Sequence, residues 1–237
     1  MDESRGLLVV ADGIGGQVGG AVASQVAVDE VAESMLRTEK MRGLEQRYHQ
    51  GIGVGQWPYG FDRGLSVDGN RLRTAVYAAH MRILETTAAA PALGGMGTTI
   101  VAAVERHGLL SVAWAGDSRL YLFRRGQLRR LTRDDSWAEA VADTKPTAEP
   151  LSPPQRDGLT NALGSVSRIQ VHVTDLAVHS GDVIVLTTDG VHGWLDDRHL
   201  AWVLGGLGDP AETAKDLVAA AIGCGSTDNC TAIVAHA

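Results

Sequence analysis

Hydrophobic residues in the first half of the chain follow strand-like and helix-like patterns in turn. Residues 7–11 form a continuous apolar run that ends at Asp12 and Gly13, which indicates a buried strand followed by a turn. Residues 37–68 show little periodicity and many glycines, so we predict an insertion loop there, with local packing of the aromatic residues at 57–61. On either side of this loop, apolar residues recur at helical spacing and predict two helices: Val22, Val26, Val31 and Met35, then Leu72, Val76, Ala79 and Ile83.

Short apolar runs dominate the remainder of the chain. The connections between the runs at 98–104, 109–115, 120–123 and 128–131 are too short for parallel crossovers, so these runs predict a β-meander. The polar, proline-rich stretch 133–158 predicts a mobile surface flap. We also predict strands at 169–174, 183–186 and 231–235, a helix at 197–204, and a helix at 209–222 that Asp209 caps.

Length and charge narrow the class of protein. The 237 residues suit one large domain without repeats or linkers, so we predict a single domain over 1–237. The net charge of -7 argues against a general nucleic-acid binder. Residues 86–104 carry no charge, but proline and glycines interrupt them, so we predict no membrane span. Cys224 and Cys230 lack the spacing of zinc or redox pairs, Cys230 is expected to be buried, and we expect a cytoplasmic protein.

Four aspartates lie at the edges of apolar strands. Asp12 and Asp189 each end an apolar run just before a glycine, Asp117 lies in a turn between two runs, and Asp228 precedes the last run. Turn chemistry alone explains an aspartate beside a glycine, and this explanation stays open for each site taken singly. If the four converge, two carboxylates about 4 Å apart repel by roughly 4 kcal/mol at an effective dielectric near 20. Such a cluster must protonate or bind a hard cation such as Mg²⁺ or Mn²⁺.

The glycine-rich turn after Asp12 needs a separate test, because a strand, such a turn and a helix are also typical of dinucleotide-binding proteins. Counted from Gly13, the G-x-G-x-x-G pattern fails, since Val18 stands where its third glycine belongs. No G-K-[ST] sequence follows, which argues against a phosphate-binding P-loop. A nucleotide-dependent oxidoreductase is therefore not favoured.

Six motifs carry a resemblance to a known family. They are VVADGIGG at 9–16, GGMGTT at 94–99, AGDSRLYLFRRGQL at 115–128, LTNALG at 159–164, TTDGVHGWL at 187–195 and STDNCTAIVA at 226–235. In this order they resemble the bacterial branch of the metal-dependent serine/threonine protein phosphatases, the type 2C class. The resemblance implies an α+β fold, a four-layer α-β-β-α sandwich in which helices flank two central antiparallel sheets. It also implies hydrolysis of phosphoserine and phosphothreonine on proteins, with a serine/threonine kinase as a partner.

The resemblance further assigns roles to the aspartates. Asp12 would bridge two Mn²⁺ or Mg²⁺ ions, and the carbonyl group of Gly13 would complete one coordination shell. Asp189 and Asp228 would hold the first ion, so that these two residues and Asp12 form the catalytic set. Asp117 would belong to a third, weaker site. A water molecule bridging the two ions would attack phosphorus in line, without a phosphoenzyme.

Two departures from the family pattern bear on activity. Most members carry an Arg-x-x-Asn-x-Asp-like element before the first Asp-Gly, and this sequence begins at Met1 without one. We therefore expect either a chain that is short at its amino terminus or a weakened activity, and the alternative function is a weakly active or inactive phosphatase-like binding or regulatory module. The acidic residue expected four positions after Asp189 is replaced by Gly193, which argues against a third ion.

Three further side chains are candidates for contacts with phosphate or the leaving group. His192, beside Asp189, has a type of side chain able to act as a general acid near neutral pH. A packing or solvated histidine is the favoured interpretation. Arg119 and Arg168 are candidate phosphate ligands, with surface roles favoured for both.

Overall fold

The computed structural model describes residues 6–39, 57–142, 158–206 and 208–237. Within these ranges the helices are α1 Gln17–Glu39, α2 Val67–Ala89, α3 Trp137–Ala142, α4 Asp189–His192, α5 Asp197–Leu204 and α6 Pro210–Gly223. The strands are β1 Leu7–Val10, β2 Gly13–Ile14, β3 Gly97–Thr98, β4 Ile100–Arg106, β5 Leu109–Ala115, β6 Arg119–Arg124, β7 Gln127–Arg130, β8 His172–Ala177, β9 Val183–Thr187 and β10 Ala232–His236.

The longer strands form two four-stranded antiparallel sheets. The first sheet has the order β1-β4-β5-β8 and the second has the order β10-β9-β6-β7. The short strands β2 and β3 pair with each other, with Gly13 opposite Thr98. The four aspartates therefore lie at the ends of strands from both sheets.

Three hydrophobic cores separate four layers. Alternate residues of β4 show the division, because Ile100 and Ala102 pack against α1 and α2 whereas Val101 and Ala103 pack between the two sheets. A third core lies between the second sheet and helices α4, α5 and α6, with Tyr121 and Val185 on its sheet side. This arrangement is the predicted α-β-β-α sandwich.

Polar side chains fix where several helices begin. Ser66 accepts a hydrogen bond from the amide of Gly69 at the start of α2. Asp196 caps α5, and Asp209 caps α6 with Pro210 as its first helical residue. Because these side-chain oxygens satisfy amide groups that have no partner within the helix, each start is set by local sequence. The predicted helix at 197–204 and the predicted capping role of Asp209 are confirmed.

The predicted β-meander is wrong. The β4–β5 hairpin lies in the first sheet, and the β6–β7 hairpin lies in the second. The short connection at 116–118 crosses from one sheet to the other, so β5 and β6 are not partners. A three-residue connection is as compatible with this crossing as with a hairpin, because the direction of the next strand depends on the packing of the two sheets.

Smaller differences concern element boundaries. Thr99 interrupts the strand predicted at 98–104, and the strand predicted at 169–174 runs from His172 to Ala177. In the predicted insertion loop, Trp57 and Phe61 make an edge-to-face contact at 5.2 Å, and residues 40–56 lie outside the described residues. Of the predicted flap, residues 133–142 are described and include α3, whereas 143–157 lie outside. Among the described helices, none has the length and apolar character that crossing a membrane requires.

Candidate active site

Asp12 is held by the two threonines that end the glycine-rich segment after α2. Its amide donates to Oγ1 of Thr99 at 3.1 Å, and its carbonyl oxygen accepts from Oγ1 of Thr98 at 2.8 Å. The amide of Thr99 donates to the same carbonyl oxygen at 2.8 Å. Because both threonines are buried, the backbone of Asp12 has little freedom to move.

The glycines after Asp12 permit a close approach between the turn and α1. A methyl group on Gly13 would lie 2.1 Å from the carbonyl oxygen of Gly20, which no side chain could tolerate. Gly15 has a φ of 99° and lies against the carbonyl of Gly95. The turn is therefore glycine-rich for packing reasons, consistent with its failure to match a nucleotide-binding pattern.

The loops that carry Asp189 and Asp228 are joined to each other. The amide of Thr188 donates to the carbonyl of Thr231 at 3.1 Å, and the amide of Thr231 donates to Oγ1 of Thr188 at 3.1 Å. Oγ of Ser226 donates to the carbonyl of Gly190 at 2.8 Å. These bonds bring two aspartates from distant parts of the chain to one edge of the second sheet.

Close contacts at Gly190 tighten the same junction. A methyl group on Gly190 would lie 2.3 Å from the carbonyl oxygen of Asn229. Cys230, which was expected to be buried, is half-buried, with Sγ 3.1 Å from the carbonyl oxygen of Gly190. The two loops therefore meet without room for a side chain between them.

Asp117 lies in the turn that crosses between the sheets. Gly116 takes a φ of 103°, which glycine adopts at little cost. The hydroxyl groups of Ser118 and Thr99 are 2.7 Å apart and share a hydrogen bond. Since Thr99 also binds Asp12, one threonine hydroxyl connects the Asp12 strand end to the Asp117 turn.

Electrostatic interactions connect Asp12 with the other three aspartates. Burial, the charge of Asp189 and a hydrogen bond with it, followed by the charges of Asp228 and Asp117, raise the pKa of Asp12 to about 7. Burial and the charges of Asp189 and then Asp134 raise the pKa of Asp117 to about 7. Asp189 is thus the neighbour that most affects both groups.

This donor set fits a hard divalent cation. Among the described residues, no three histidine, cysteine, aspartate or glutamate side chains are already arranged around one metal position. Asp189 raises the pKa of the partly buried Asp12, so the two carboxylates are unfavourable neighbours while both are ionised. A divalent cation would offset this repulsion.

The other candidate side chains have structural roles or lie at the surface. His192 is buried, its Nδ1 lies 2.9 Å from Oγ1 of Thr187, and burial lowers its pKa to about 2. It is therefore neutral near pH 7 and is a packing histidine, as favoured. Arg119 forms an ion pair with Asp134, with its Nη2 2.6 Å from Oδ2. Arg168 is exposed.

The positions of Thr98, Thr99 and Ser118 within the motifs were visible in the sequence, but their roles were not. Their hydroxyl groups contact residues 19 to 87 positions away, which no local pattern reports. Asp135 was missed for the same reason, because it contacts the Asp117 turn through Gly116, 19 positions earlier.

Two stacked antiparallel sheets with aspartates at the ends of strands from both define a class of protein whose oxygen donors suit a hard divalent cation. A family model described as protein phosphatase 2C matches residues 1–215. The chain belongs to this family.

Known relatives agree with this membership. The serine/threonine phosphatase stp of Listeria welshimeri is 25% identical over 234 residues, covering 98% of this chain and 84% of the relative. The serine/threonine protein phosphatase PstP of Mycobacterium tuberculosis is 30% identical over 231 residues, covering 97% of this chain and 40% of the relative.

Solved structures extend the comparison to the fold. The crystal structure of the Mycobacterium tuberculosis phosphatase PstP/Ppp superposes with a TM-score of 0.77 at 28% identity, covering 98% of this chain and 88% of the other. A catalytic domain of PstP in complex with two manganese ions gives a TM-score of 0.75 at 28% identity, covering 98% and 87%. The predicted family, fold and protein serine/threonine phosphatase activity are confirmed, and the alternative of an inactive binding module is not favoured.

Proposed function

We propose that this chain hydrolyses phosphoserine and phosphothreonine on proteins at a site for two divalent ions, held by Asp12, Asp189 and Asp228. The carbonyl oxygen of Gly13 would complete one coordination shell, and Mn²⁺ or Mg²⁺ suits these oxygen ligands. The proposal is supported by the hydrogen bonds that hold Asp12 and by those that join the loops of Asp189 and Asp228. It is also supported by the raised pKa of Asp12, which burial and then the charge of Asp189 produce. Asp117 remains a conditional ligand of a third ion, since Gly193 supplies no acidic partner.

The protein's own part in the reaction is to hold its ligands in place before substrate arrives. When bound, two divalent ions supply an activated water molecule and offset negative charge on the attacking and leaving oxygens. Thr98 and Thr99 fix the backbone of Asp12, so its carboxylate is presented without a large loss of conformational freedom on binding. The hydrogen bonds between the loops of Asp189 and Asp228 do the same for the opposite side of the site.

The substrate class and cellular setting are also part of the proposal. Phosphorylated proteins are the proposed substrates, in keeping with the serine/threonine phosphatase names of the relatives, and a serine/threonine kinase that makes them is the proposed partner. The net charge of -7 argues against nucleic acid as a partner. A cytoplasmic location without membrane contact remains a prediction from the sequence.

Hydrolysis of p-nitrophenyl phosphate with Mn²⁺ tests the mechanism. We expect activity that a chelator abolishes and that Asp189→Ala lowers by about two orders of magnitude or more, because a ligand of the ions is lost. The matched control is Asp216→Ala, since Asp216 is an exposed aspartate on α6. Activity unaffected by both the chelator and Asp189→Ala would refute a metal site at these residues.

Peptides test the substrate class. Phosphothreonine and phosphoserine peptides should be hydrolysed with Mn²⁺, and a phosphotyrosine peptide of otherwise identical sequence should be a poor substrate. Equal rates on the three peptides would contradict the proposed specificity, even if the metal dependence held.

A further inference from the structure

The turn that carries Asp117 is bound from two sides. On one side, the amide of Gly116 donates to Oδ2 of Asp135 at 3.0 Å, and the carbonyl oxygen of Gly116 accepts from the amide of Asp135 at 3.0 Å. On the other side lies Thr99, whose Cβ would be 2.7 Å from a methyl group placed on Gly116. Both backbone hydrogen-bonding groups of Gly116 are therefore taken by a single residue, Asp135.

The orientation of the Asp135 carboxylate is itself fixed by other segments. Nδ2 of Asn161 donates to Oδ2 at 2.6 Å, and Nε2 of His172 lies 2.9 Å from Oδ1. Asn161 is held in turn by both backbone groups of Gln170, at 2.8 and 3.1 Å. The ring of His172 stacks on Trp114 of β5 at 5.1 Å. Asp135 thus joins the crossing turn to β8 and to the segment before it.

Gly116 needs such an external constraint. With a φ of 103° and no side chain, it gives the crossing turn little stiffness of its own. Asp117 follows directly, and the next residue, Ser118, shares a hydrogen bond with Thr99, which also binds the amide of Asp12. A small rotation at Gly116 would change the distance between the carboxylates of Asp117 and Asp189.

We propose that Asp135 is a positioning residue of the metal centre, which acts through Gly116 to set the distance between Asp117 and Asp189. This inference rests on the proposed function of the site. Asp135 itself contacts neither the phosphate nor the ions in this scheme. The ion whose binding Asp135 affects is the one that Asp117 contacts. Residues that orient metal ligands from behind change metal affinity by about 10- to 100-fold when they are replaced.

The test uses Asp135→Asn and a matched control. The substitution keeps the size of the side chain but removes its negative charge, which weakens the hydrogen bonds that it accepts from Gly116 and Asn161. The control is Asp175→Asn, because Asp175 of β8 likewise accepts three hydrogen bonds, from the amide of Ser66 at 2.6 Å and the hydroxyls of Ser66 and Ser111 at 3.0 and 2.5 Å.

Three readouts separate positioning from general stability: Mn²⁺ affinity by calorimetry, Mn²⁺ activation of p-nitrophenyl phosphate hydrolysis, and hydrogen exchange of the Gly116 amide in metal-free protein. We expect Asp135→Asn to weaken Mn²⁺ binding about tenfold or more and to speed exchange at Gly116. Asp175→Asn should lower the melting temperature but leave Mn²⁺ binding and Gly116 exchange unchanged.

Either of two results would overturn the inference. In the first, Asp135→Asn binds Mn²⁺ and exchanges the Gly116 amide as the wild type does. In the second, Asp175→Asn shows the same changes in Mn²⁺ binding and Gly116 exchange as Asp135→Asn. A wild-type protein that binds Mn²⁺ but hydrolyses no phosphate ester would refute the proposed function instead. In that case Mn²⁺ affinity and Gly116 exchange still decide the role of Asp135.

Discussion

Replacing Asp12 with asparagine should stabilise the metal-free protein while it removes metal binding. The carboxylate of Asp12 is partly buried beside Asp189, Asp228 and Asp117, and this setting raises its pKa from 3.8 to about 7. Because the pKa is higher in the folded than in the unfolded protein, ionisation of this group opposes folding. Without metal, stability is therefore expected to fall as pH rises from near 3.8 through about 7. An asparagine amide has no charge to lose and avoids this penalty.

The size of the effect follows from the pKa change. A rise from 3.8 to about 7 corresponds to about 4 kcal/mol in favour of the protonated form. The carboxyl group of Asp12 is partly open to solvent, which screens its interactions, so we take about half of this value, about 2 kcal/mol. For a chain of this length, about 2 kcal/mol corresponds to a change of roughly 4–8 °C in melting temperature.

Urea unfolding with EDTA at pH 5 and pH 8 measures this difference. Asp12→Asn should be more stable than the wild type by about 2 kcal/mol at pH 8 and by a smaller margin, about 0.8 kcal/mol, at pH 5, because the carboxyl group of the unfolded chain is already ionised there. Saturating Mn²⁺ should reverse the order at pH 8, since only the wild type gains binding energy, about 2.7 kcal/mol at a hundredfold excess over the dissociation constant. Asp216→Asn, on the exposed face of α6, is the control for removing a negative charge. A variant less stable than the wild type in EDTA at pH 8 would refute the account of carboxylate repulsion.

Three further predictions concern the supports of the site and the sheet behind it. Thr99→Val removes a buried hydroxyl that accepts a hydrogen bond from the amide of Asp12 at 3.1 Å, and should lower the free energy of unfolding in urea by about 1–3 kcal/mol. It should also lower the rate of phosphate ester hydrolysis with Mn²⁺, and an unchanged rate would contradict the role of Thr99. Gly190→Ala would place a methyl group 2.3 Å from the carbonyl oxygen of Asn229, so we expect a lower melting temperature and weaker Mn²⁺ binding by calorimetry, and normal binding would contradict the proposed contact. The ion pair with Arg124 lowers the pKa of Asp182, so its stabilisation is present above the unfolded pKa and is lost as pH falls through the lower folded pKa. Asp182→Asn should therefore be less stable than the wild type at pH 7 and differ little at pH 2, and a pH-independent difference would contradict this linkage.

Local sequence was sufficient for much of the secondary structure. Helix α5 matches its predicted range, and Asp209 caps α6 as expected, because a cap depends on residues within one helical turn. Apolar runs located β5 and β9 closely, since a strand buried on both faces needs continuous apolar side chains. The same runs placed Asp12 and Asp189 at strand ends, where polar side chains can meet.

Pairing and proximity were decided by the tertiary structure. The sequence around 116–118 is compatible with a β6 that pairs with β5 and with one that crosses to another sheet. The crossing is what brings Asp117 toward Asp189. The role of Thr99 depends on a hydrogen bond to a residue 87 positions away, and that of Asp135 on one 19 positions away.

The sequence by itself thus determined the kinds of side chain at the site, the strand ends that present them and the family to which the motifs point. Only the tertiary structure decided which carboxylates interact, how far burial raises the pKa of Asp12, and which neutral groups hold the loops in place. The physical reason is that strand and helix formation follow from neighbours along the chain, whereas electrostatic coupling depends on distances between atoms that only folding brings together.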